Sequence, residues 1–427
     1  MVDGLRLIKL NIIFNQISHF NMFELRDYQK EAVIKGFKIL TKHRLLILNF
    51  EVRTGKSHIA LALGNNFKKV LFVTKKKAIG SIESDYQMAG YDYDFEVTNY
   101  EQLHKYKSVY HLIVFDESHG LGALGKPTLK TKEAHRIASN GAYVILMTGT
   151  LLPENNAQIF HQLWVSQNTP FSGNFYQWFR NFGTPALKYT SYGQVQDYTN
   201  VSYDKIKKYI EPIMLTYTQK EAGFVSNINE IFCTIEMQPS TYAGIKKLQK
   251  DKVIIGKYGD ILADSAVKEL GKVHQMYSGT VKYESGDSIV FDDSKAIYIK
   301  NSFAGQKLAI FYKFKAELVA IKSHLDVTDS IEEFNTTDKH IALQIVSGRE
   351  GINLSKADSI VYYNIDFSAV SYWQSRDRMT TITRSESNVY WLFSKGGIEW
   401  QIYKAVSNKK DYVTQTYVRE QNTEQNN

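Results

Sequence analysis

The sequence predicts an α/β protein of two lobes, each a parallel β-sheet flanked by helices, with a helical insertion between the two groups of strands. Three observations predict it. Short apolar runs occur in two groups: Leu45–Phe50, Lys69–Val73, Leu112–Phe115 and Tyr143–Met147, then Leu308–Phe311, Ile341–Val346 and Ser359–Tyr363. Continuous runs of this length, without polar alternation, are the pattern of strands buried on both faces. Helix-like stretches separate them and supply the crossovers that parallel strands need. Finally, the runs of the first group end in the polar turns RTGKS, TKKK, DESH and TGT. Open α/β sheets bind ligands at those carboxyl ends.

A chain of 427 residues suits two domains, or three. The expected division is an extension at 1–22, a first lobe at 23–235 with the insertion at about 155–230, a second lobe at 236–410 and a polar tail at 411–427. Hydrophobic residues are 43% and charged residues 22%, which excludes wholesale disorder, collagen and low-complexity fibres. The single cysteine, Cys233, excludes an intrachain disulfide and a Cys-rich zinc site. No apolar run reaches about 18 residues, so no membrane span is expected. The opening MVDGLRLIKLNIIFNQ is apolar, but Asn11, Asn15 and Gln16 interrupt it and no small-residue cleavage site follows. It does not read as a secretory signal, and a cytoplasmic location is the expectation. Lys and Arg number 52 against 44 acidic residues, a net +8. That balance suits a polyanionic partner, and equally suits ordinary solubility.

The elements carry chemistry in order. Arg53-Thr54-Gly55-Lys56-Ser57 follows the first strand and opens a helix. A Gly-containing turn at a helix N-terminus aims backbone N–H groups at an anion. Lys56 then reaches the terminal phosphates of a nucleotide and Ser57 ligates Mg²⁺. The strict phosphate-loop pattern places a glycine where Phe50 stands. Asp116-Glu117-Ser118-His119 follows the strand at Leu112–Phe115. Asp116 suits a Mg²⁺ ligand, and Glu117 suits the orientation and deprotonation of an attacking water. Together the two turns point to nucleoside triphosphate hydrolysis with ATP and Mg²⁺ as cofactors. Lys75-Lys76-Lys77 is a basic run that alone reads as a solvated face. Trp164, Tyr176 and Trp178 of the insertion fit core packing better than base stacking. A D…DxK spacing at Asp287, Asp293 and Lys295 is too short and common to argue for a nuclease, and no HExxH occurs.

The order of motifs resembles superfamily-two helicases and translocases, in particular their Swi–Snf remodeller-like branch, over roughly residues 23–405. Leu25-Arg26-Asp27-Tyr28-Gln29 resembles the branch's opening LRxYQ, RTGKS its motif I, and Phe72-Val73-Thr74-Lys75 its motif Ia. Thr98-Asn99-Tyr100, DESH and Thr148-Gly149-Thr150 resemble motifs Ib, II and III. Leu308–Phe314 resembles motif IV, Ser347–Leu354 motif V, and Gln374-Ser375-Arg376-Asp377-Arg378 the start of motif VI. The resemblance implies two RecA-like lobes and an ATP-driven DNA translocase or helicase. Compact motors of this type occur in bacteriophages, where they remodel forks and migrate branches; duplex or branched DNA is the implied track in preference to RNA. By motif position it implies nucleotide contacts at Gln29, Arg53, Thr54, Gly55, Lys56, Ser57 and Gly351. It implies an arginine finger at Arg378, with Arg384 as a second cation. Lys75, Asn99 and Ser347 are the implied nucleic-acid contacts, and His119, Thr148, Thr150 and Gln374 the coupling residues. The sequence departs from the pattern at Phe50, at Thr381 in place of a second motif VI arginine, and at Thr216-Tyr217-Thr218-Gln219, where an RRTK-like turn lacks its arginines. Three alternatives stay open: an RNA helicase, a motor subunit of a restriction or transcription complex, and a clamp that binds ATP without hydrolysing it.

Overall fold

Parallel strands buried on both faces need apolar side chains on both faces, and the first sheet shows how the apolar runs meet that need. The computed structural model describes residues 24–152, 155–190, 193–223, 227–256, 259–348, 354–368, 371–372, 375 and 386–408. Two compact units divide between Ala222 and Gly223.

The first unit runs α1 (Asp27–His43), β1 (Leu45–Phe50), α2 (Lys56–Gly64), β2 (Lys69–Thr74), α3 (Ile79–Met88), β3 (Asp94–Asn99), β4 (Leu112–Phe115), α4 (Leu129–Ala138) and β5 (Tyr143–Thr148). It continues through α5 (Ile159–Trp164), α6 (Phe175–Phe182), β6 (Ala186–Thr190), β7 (Gly193–Asp197), α7 (Tyr203–Ile210) and β8 (Met214–Tyr217). The sheet order is β3-β2-β4-β5-β1-β8, and every pairing is parallel. Side chains of one strand alternate between two buried clusters. Leu46, Leu48 and Phe50 of β1 join Phe72, Val114 and Met147 on the face covered by α1 and α2. Leu45 and Ile47 join Val73, Phe115 and Leu146 on the other face, with Phe160, Phe175 and Trp178 of the insertion. Trp178 is 1% exposed, so the insertion's aromatics are largely core, as expected, although Tyr176 is 38% exposed. Gly36 of α1 lets that helix lie close to β1, since a Cβ there would stand 3.1 Å from the Leu46 side chain.

The second unit runs β9 (Asn227–Ile235), α8 (Pro239–Asp251), β10 (Val253–Ile254), β11 (Ile261–Leu262), α9 (Ala266–Tyr277), β12 (Thr280–Lys282), β13 (Ser288–Val290), α10 (Ser294–Ser302), β14 (Leu308–Tyr312) and α11 (Lys315–His324). It ends with β15 (Val327–Thr328), α12 (Ile331–Thr336), β16 (His340–Gln344), α13 (Ile345–Gly348), β17 (Ser359–Tyr362), β18 (Glu386–Ser394) and α14 (Glu399–Ser407). Its sheet order is β15-β16-β14-β17-β18-β9, again parallel throughout. Each unit is therefore a parallel sheet layered by helices, the α/β form of a RecA-like lobe.

Two expectations about boundaries are corrected. The second unit starts at Gly223 and not at 236, because β9 pairs residue for residue with β18 from Asn227↔Glu386 to Ile235↔Ser394. The insertion stops short of 230, because β8 returns to the first sheet beside β1. It is also not wholly helical: β6 and β7 form an antiparallel hairpin within it. Among the described residues no helix is long and apolar enough to cross a membrane.

Candidate nucleotide site

The loop between β1 and α2 is built by its carbonyls. Phe50 is the last residue of β1, 1% exposed, with its ring 5.5 Å from that of Tyr217. It packs beneath the loop, which begins at Glu51. Phe50 O and Glu51 O accept hydrogen bonds from Lys56 Nζ at 2.7 and 3.0 Å. Glu51 O also accepts from Thr54 Oγ1 at 2.7 Å, which occupies that buried hydroxyl. Val52 O accepts from Gln219 Nε2 at 3.0 Å. Thr54 O accepts from Tyr28 Oη at 2.9 Å and from Gln29 Nε2 at 3.4 Å. A trans peptide sends its C=O and its N–H in opposite directions. Holding Val52 O and Thr54 O by Gln219, Tyr28 and Gln29 therefore turns the N–H groups of Arg53 and Gly55, which share those peptides, away from these partners, an arrangement suited to an anion at a helix N-terminus. Gly55 takes φ 77°, where a side chain is strained, and a Cβ there would collide with the Gln29 amide. Arg53 takes φ 64° despite its side chain, at a cost of about 1–2 kcal/mol. Gln29 is 3% exposed, and its Oε1 also accepts from Arg26 N at 2.9 Å.

The acidic turn lies at the same rim. Register pairs Asn49 with Thr148 and Phe115 with Leu146, so the carboxyl ends of β1, β5 and β4 stand in a row. β5 lies between the loop strand and the acidic strand. Neighbouring strands are about 4.8 Å apart, so these two are separated by roughly 10 Å, enough for phosphates and a hydrated cation. Asp116 is anchored from three sides: its N–H donates to Val73 O at 2.8 Å, its Oδ2 accepts from Thr74 Oγ1 at 2.8 Å, and its carbonyl accepts from Tyr100 Oη at 2.6 Å. Glu117 N donates to Asp116 Oδ1 at 2.9 Å. Glu117 takes φ 49°, a left-handed backbone that a non-glycine adopts only when its surroundings fix it.

The two carboxylates titrate apart. Burial, and then the charge of Glu117, push Asp116 up to about 6. Burial also acts to raise Glu117, but the His119 hydrogen bond and the charges of His119, Lys56 and Lys75 outweigh it and hold Glu117 at about 2. His119 Nδ1 lies 3.3 Å from Glu117 Oε2 and 3.2 Å from Thr148 Oγ1. Thr148 Oγ1 in turn donates to Thr150 O and accepts from Thr150 N, both at 3.1 Å. The Thr150 and Ser118 hydroxyls are buried with no hydrogen-bond partner among the described residues.

The donor set fits a nucleotide-bound Mg²⁺. Such an ion takes one or two protein oxygens and completes its shell with phosphate oxygens and water. Asp116 keeps lone pairs beyond the two hydrogen bonds that its oxygens accept, and Ser57 contributes a hydroxyl in the first turn of α2. Among the described residues no group of three or more His, Cys, Asp and Glu forms an all-protein cage.

The structure thus brings Gln29, Arg53, Thr54, Gly55, Lys56, Ser57, Asp116, Glu117, His119, Thr148 and Thr150 to one rim. Lys75 follows β2 there, and its charge reaches Glu117. Asn99 is engaged locally. It is 7% exposed, and its Oδ1 accepts from Gln102 N at 3.1 Å, capping a turn of 3₁₀ helix. Ser347 lies on α13. Gly351, Gln374, Arg378, Thr381 and Arg384 lie outside the described residues. The D…DxK spacing does not assemble, since Lys295 is fully buried 3.0 Å from Glu399. Sequence reasoning missed Tyr28, Glu51, Tyr100 and Gln219 as site components. The only signal for Gln219 was its place in a turn that departs from the family pattern.

No protein-family model matches the chain. Over 174 residues it is 24% identical to the SWI/SNF-related matrix-associated actin-dependent regulator of chromatin subfamily A containing DEAD/H box 1 homolog of Drosophila melanogaster. The match covers 35% of this chain and 20% of that protein, so the chain spans about a fifth of this relative. Among solved structures it is similar to the Sulfolobus solfataricus SWI2/SNF2 ATPase core in complex with dsDNA, with a TM-score of 0.43 and 18% identity over 95% of this chain and 96% of that one. The Sulfolobus solfataricus SWI2/SNF2 ATPase core domain gives a TM-score of 0.41 and 16% identity over 91% and 89%.

Proposed function

We propose that the chain is an ATP hydrolase that moves along DNA, a motor like those of the Swi–Snf branch. The observation that carries the reading is the meeting of Lys56, Asp116 and Glu117 at one sheet rim, where the charge of Lys56 acts on both carboxylates. On this reading the loop N–H groups and the Lys56 amine hold the phosphates, and Gln29, which lies beside the loop, would meet the adenine as the motif resemblance implies. Mg²⁺ held by Ser57 and Asp116 supplies charge neutralisation at the phosphate oxygens. Glu117, ionised at neutral pH, orients the attacking water and takes its proton. A carboxylate near 2 is a weak base, so orientation is its larger share, as expected for a reaction that depends mainly on positioning and charge. Arg378, with Arg384, would supply the cation that the motif resemblance implies. His119, Thr148 and Thr150 would couple the state of Glu117 to motif III, Gln374 is the further coupling residue that the resemblance implies, and Gly351 a nucleotide contact.

The DNA track rests on the motif resemblance, the net +8 charge and a relative named as a chromatin regulator. Lys75, Asn99 and Ser347 would contact phosphates, which position without reading sequence. The finer reading is a compact motor, phage-encoded, that remodels branched DNA in replication or recombination.

Steady-state ATP hydrolysis without nucleic acid, then with single-stranded, duplex and branched DNA and with RNA, tests all of this. Marked stimulation by duplex or branched DNA is expected. Glu117→Gln should bind ATP within about threefold of the parent and lose at least about 100-fold in turnover. Unchanged turnover in that variant removes Glu117 from the mechanism. Equal stimulation by RNA removes the DNA assignment, and ATP binding without hydrolysis leaves the clamp.

A further inference from the structure

The segment that leaves β8 is tied to the phosphate loop more closely than its place in the sequence suggests. Glu51 N donates to Tyr217 O at 3.0 Å, which extends the β1–β8 ladder into the loop. Two residues later the pairing reverses, and Gln219 N donates to Glu51 Oε2 at 2.7 Å while Gln219 Nε2 donates to Val52 O at 3.0 Å. The segment holds its own shape: Thr218 N and Oγ1 donate to Glu221 Oε2 at 2.7 and 2.8 Å, and Tyr217 Oη donates to Glu221 O at 3.1 Å. The Tyr217 ring stacks on Tyr28 at 4.8 Å and 9°, and Tyr28 Oη donates to Thr54 O of the loop. The strap from Tyr217 to Ala222 is also the last piece of the first unit before the chain enters the second.

Peptide geometry gives these bonds a consequence. Val52 O and the N–H of Arg53 share one planar trans peptide and point in opposite directions. Holding Val52 O on the Gln219 amide aims the Arg53 N–H at the side where phosphate would lie. Tyr28 and Gln29 do the same for the Gly55 N–H through Thr54 O. A phosphate competes with Phe50 O and Glu51 O for Lys56 Nζ, and the loop's other ties are those from the strap and from α1. Tyr28 and Gln29 belong to the recognised opening motif; Gln219 belongs to none of the nucleotide motifs.

We propose that Gln219 is a positioning residue for the nucleotide: its side chain orients the Val52–Arg53 peptide for phosphate, and through it the strap 217–222 senses whether the loop is filled. This inference rests on the nucleotide reading above. The consequence is that loop occupancy and the order of the segment leading into the second unit are coupled without any residue of the second unit taking part.

The test is titration of the full chain with a fluorescent ATP analogue and Mg²⁺, with hydrogen exchange read over 214–222. Gln219→Ala keeps the backbone donor to Glu51 and loses only the amide, so nucleotide affinity should fall about five- to tenfold, the worth of one net hydrogen bond. KM should rise by a similar factor while kcat changes less than twofold. Nucleotide should protect the strap from exchange in the parent and protect it much less in Gln219→Ala. Gln219→Lys restores a donor to Val52 O and should recover most of the affinity, whereas Gln219→Glu, which sets a carboxylate against Val52 O and Glu51, should lose the most. Matching melting temperatures among the variants exclude misfolding. Unaltered affinity and strap protection in Gln219→Ala overturn the inference while leaving the nucleotide reading standing. A parent chain that binds no nucleotide overturns both.

Discussion

Asp116 and Glu117 are neighbours in sequence, yet their environments separate them by several pH units, and function depends on the order. Asp116 must be ionised to hold a cation, and in the nucleotide-free protein it loses its proton only near pH 6. The expected kcat/KM therefore falls as pH drops through about 6, approaching a tenfold loss per unit below it, and added Mg²⁺ shifts the profile to lower pH by competing with the proton. A pH–rate series at two Mg²⁺ concentrations checks this; a flat profile from pH 5 to 7 refutes it. The stability effects have opposite signs. Asp116, raised from its ordinary 3.8 to about 6, favours the folded state below that window and ceases to do so as pH rises through it. Glu117, lowered from 4.5 to about 2, contributes stability above the window that is lost as pH falls through it. The identities of both carboxylates were legible in the sequence because a strand end fixes them. Their unequal pKa values were not, since the burial that raises Asp116, and the Thr74 hydrogen bond and Lys56 charge that partly offset it, come from other strands and loops. Asn99 shows the converse. Its motif suggested a nucleic-acid contact, but an Asn three residues before the N–H of Gln102 is also the pattern of an N-terminal cap, and that local bond is the one formed.

At the scale of elements, the buried strands were legible because each is a short apolar run with no partner requirement beyond burial. The elements that were missed alternate or lie exposed. β9 is an edge strand of the second sheet, and Asn229, Phe232 and Thr234 remain exposed along it, so it carries no continuous apolar signal. The β6–β7 hairpin is exposed at Leu187 and Val195, at 62% and 44%. A backbone bridge between Gly183 and Val201 closes its base, and Tyr198 packs there against Phe175 and Phe179. The ribbon beyond the base contributes little to the core. Replacing 187–196 with a short Gly-Ser turn should thus lower the first unit's melting temperature by less than about 4 °C, the scale of 1 kcal/mol in a domain of this size. Calorimetry decides; a larger drop would mean that the ribbon supports the sheet through contacts at its base.

For the whole molecule, the division into two units predicts two unfolding events that respond to different substitutions. Lys295 and Glu399 form an ion pair at 3.0 Å in the second unit, with both side chains fully buried. Lys295 Nζ also donates to Tyr363 O at 3.2 Å, and Glu399 Oε1 accepts from Ser394 N at 3.3 Å. Lys295→Met strands a buried carboxylate and should destabilise that unit by about 3–5 kcal/mol, whereas Lys295→Met with Glu399→Leu should recover most of the loss. Differential scanning calorimetry should show one transition moving and the other still; if both move together, the units unfold as one. The two-lobe plan was legible from the two groups of apolar runs. The place of division was not, because it depends on which sheet captures β9, a choice made by β18 far along the chain.

That capture has a consequence for how the protein is made. The first sheet is complete once Tyr217 has been synthesised, since all six of its strands precede that point. The second sheet begins with β9 and closes only when β18 arrives to separate it from β17. Roughly 150 residues lie between Ile235 and Glu386, which at 5–20 residues per second is about 8–30 s of translation. Throughout that interval the nascent chain carries a nine-residue strand, Asn227–Ile235, with no partner. Any ribosome that stalls before Glu386 releases a finished first unit joined to an unpaired edge, the kind of segment that chaperones cover and aggregates recruit.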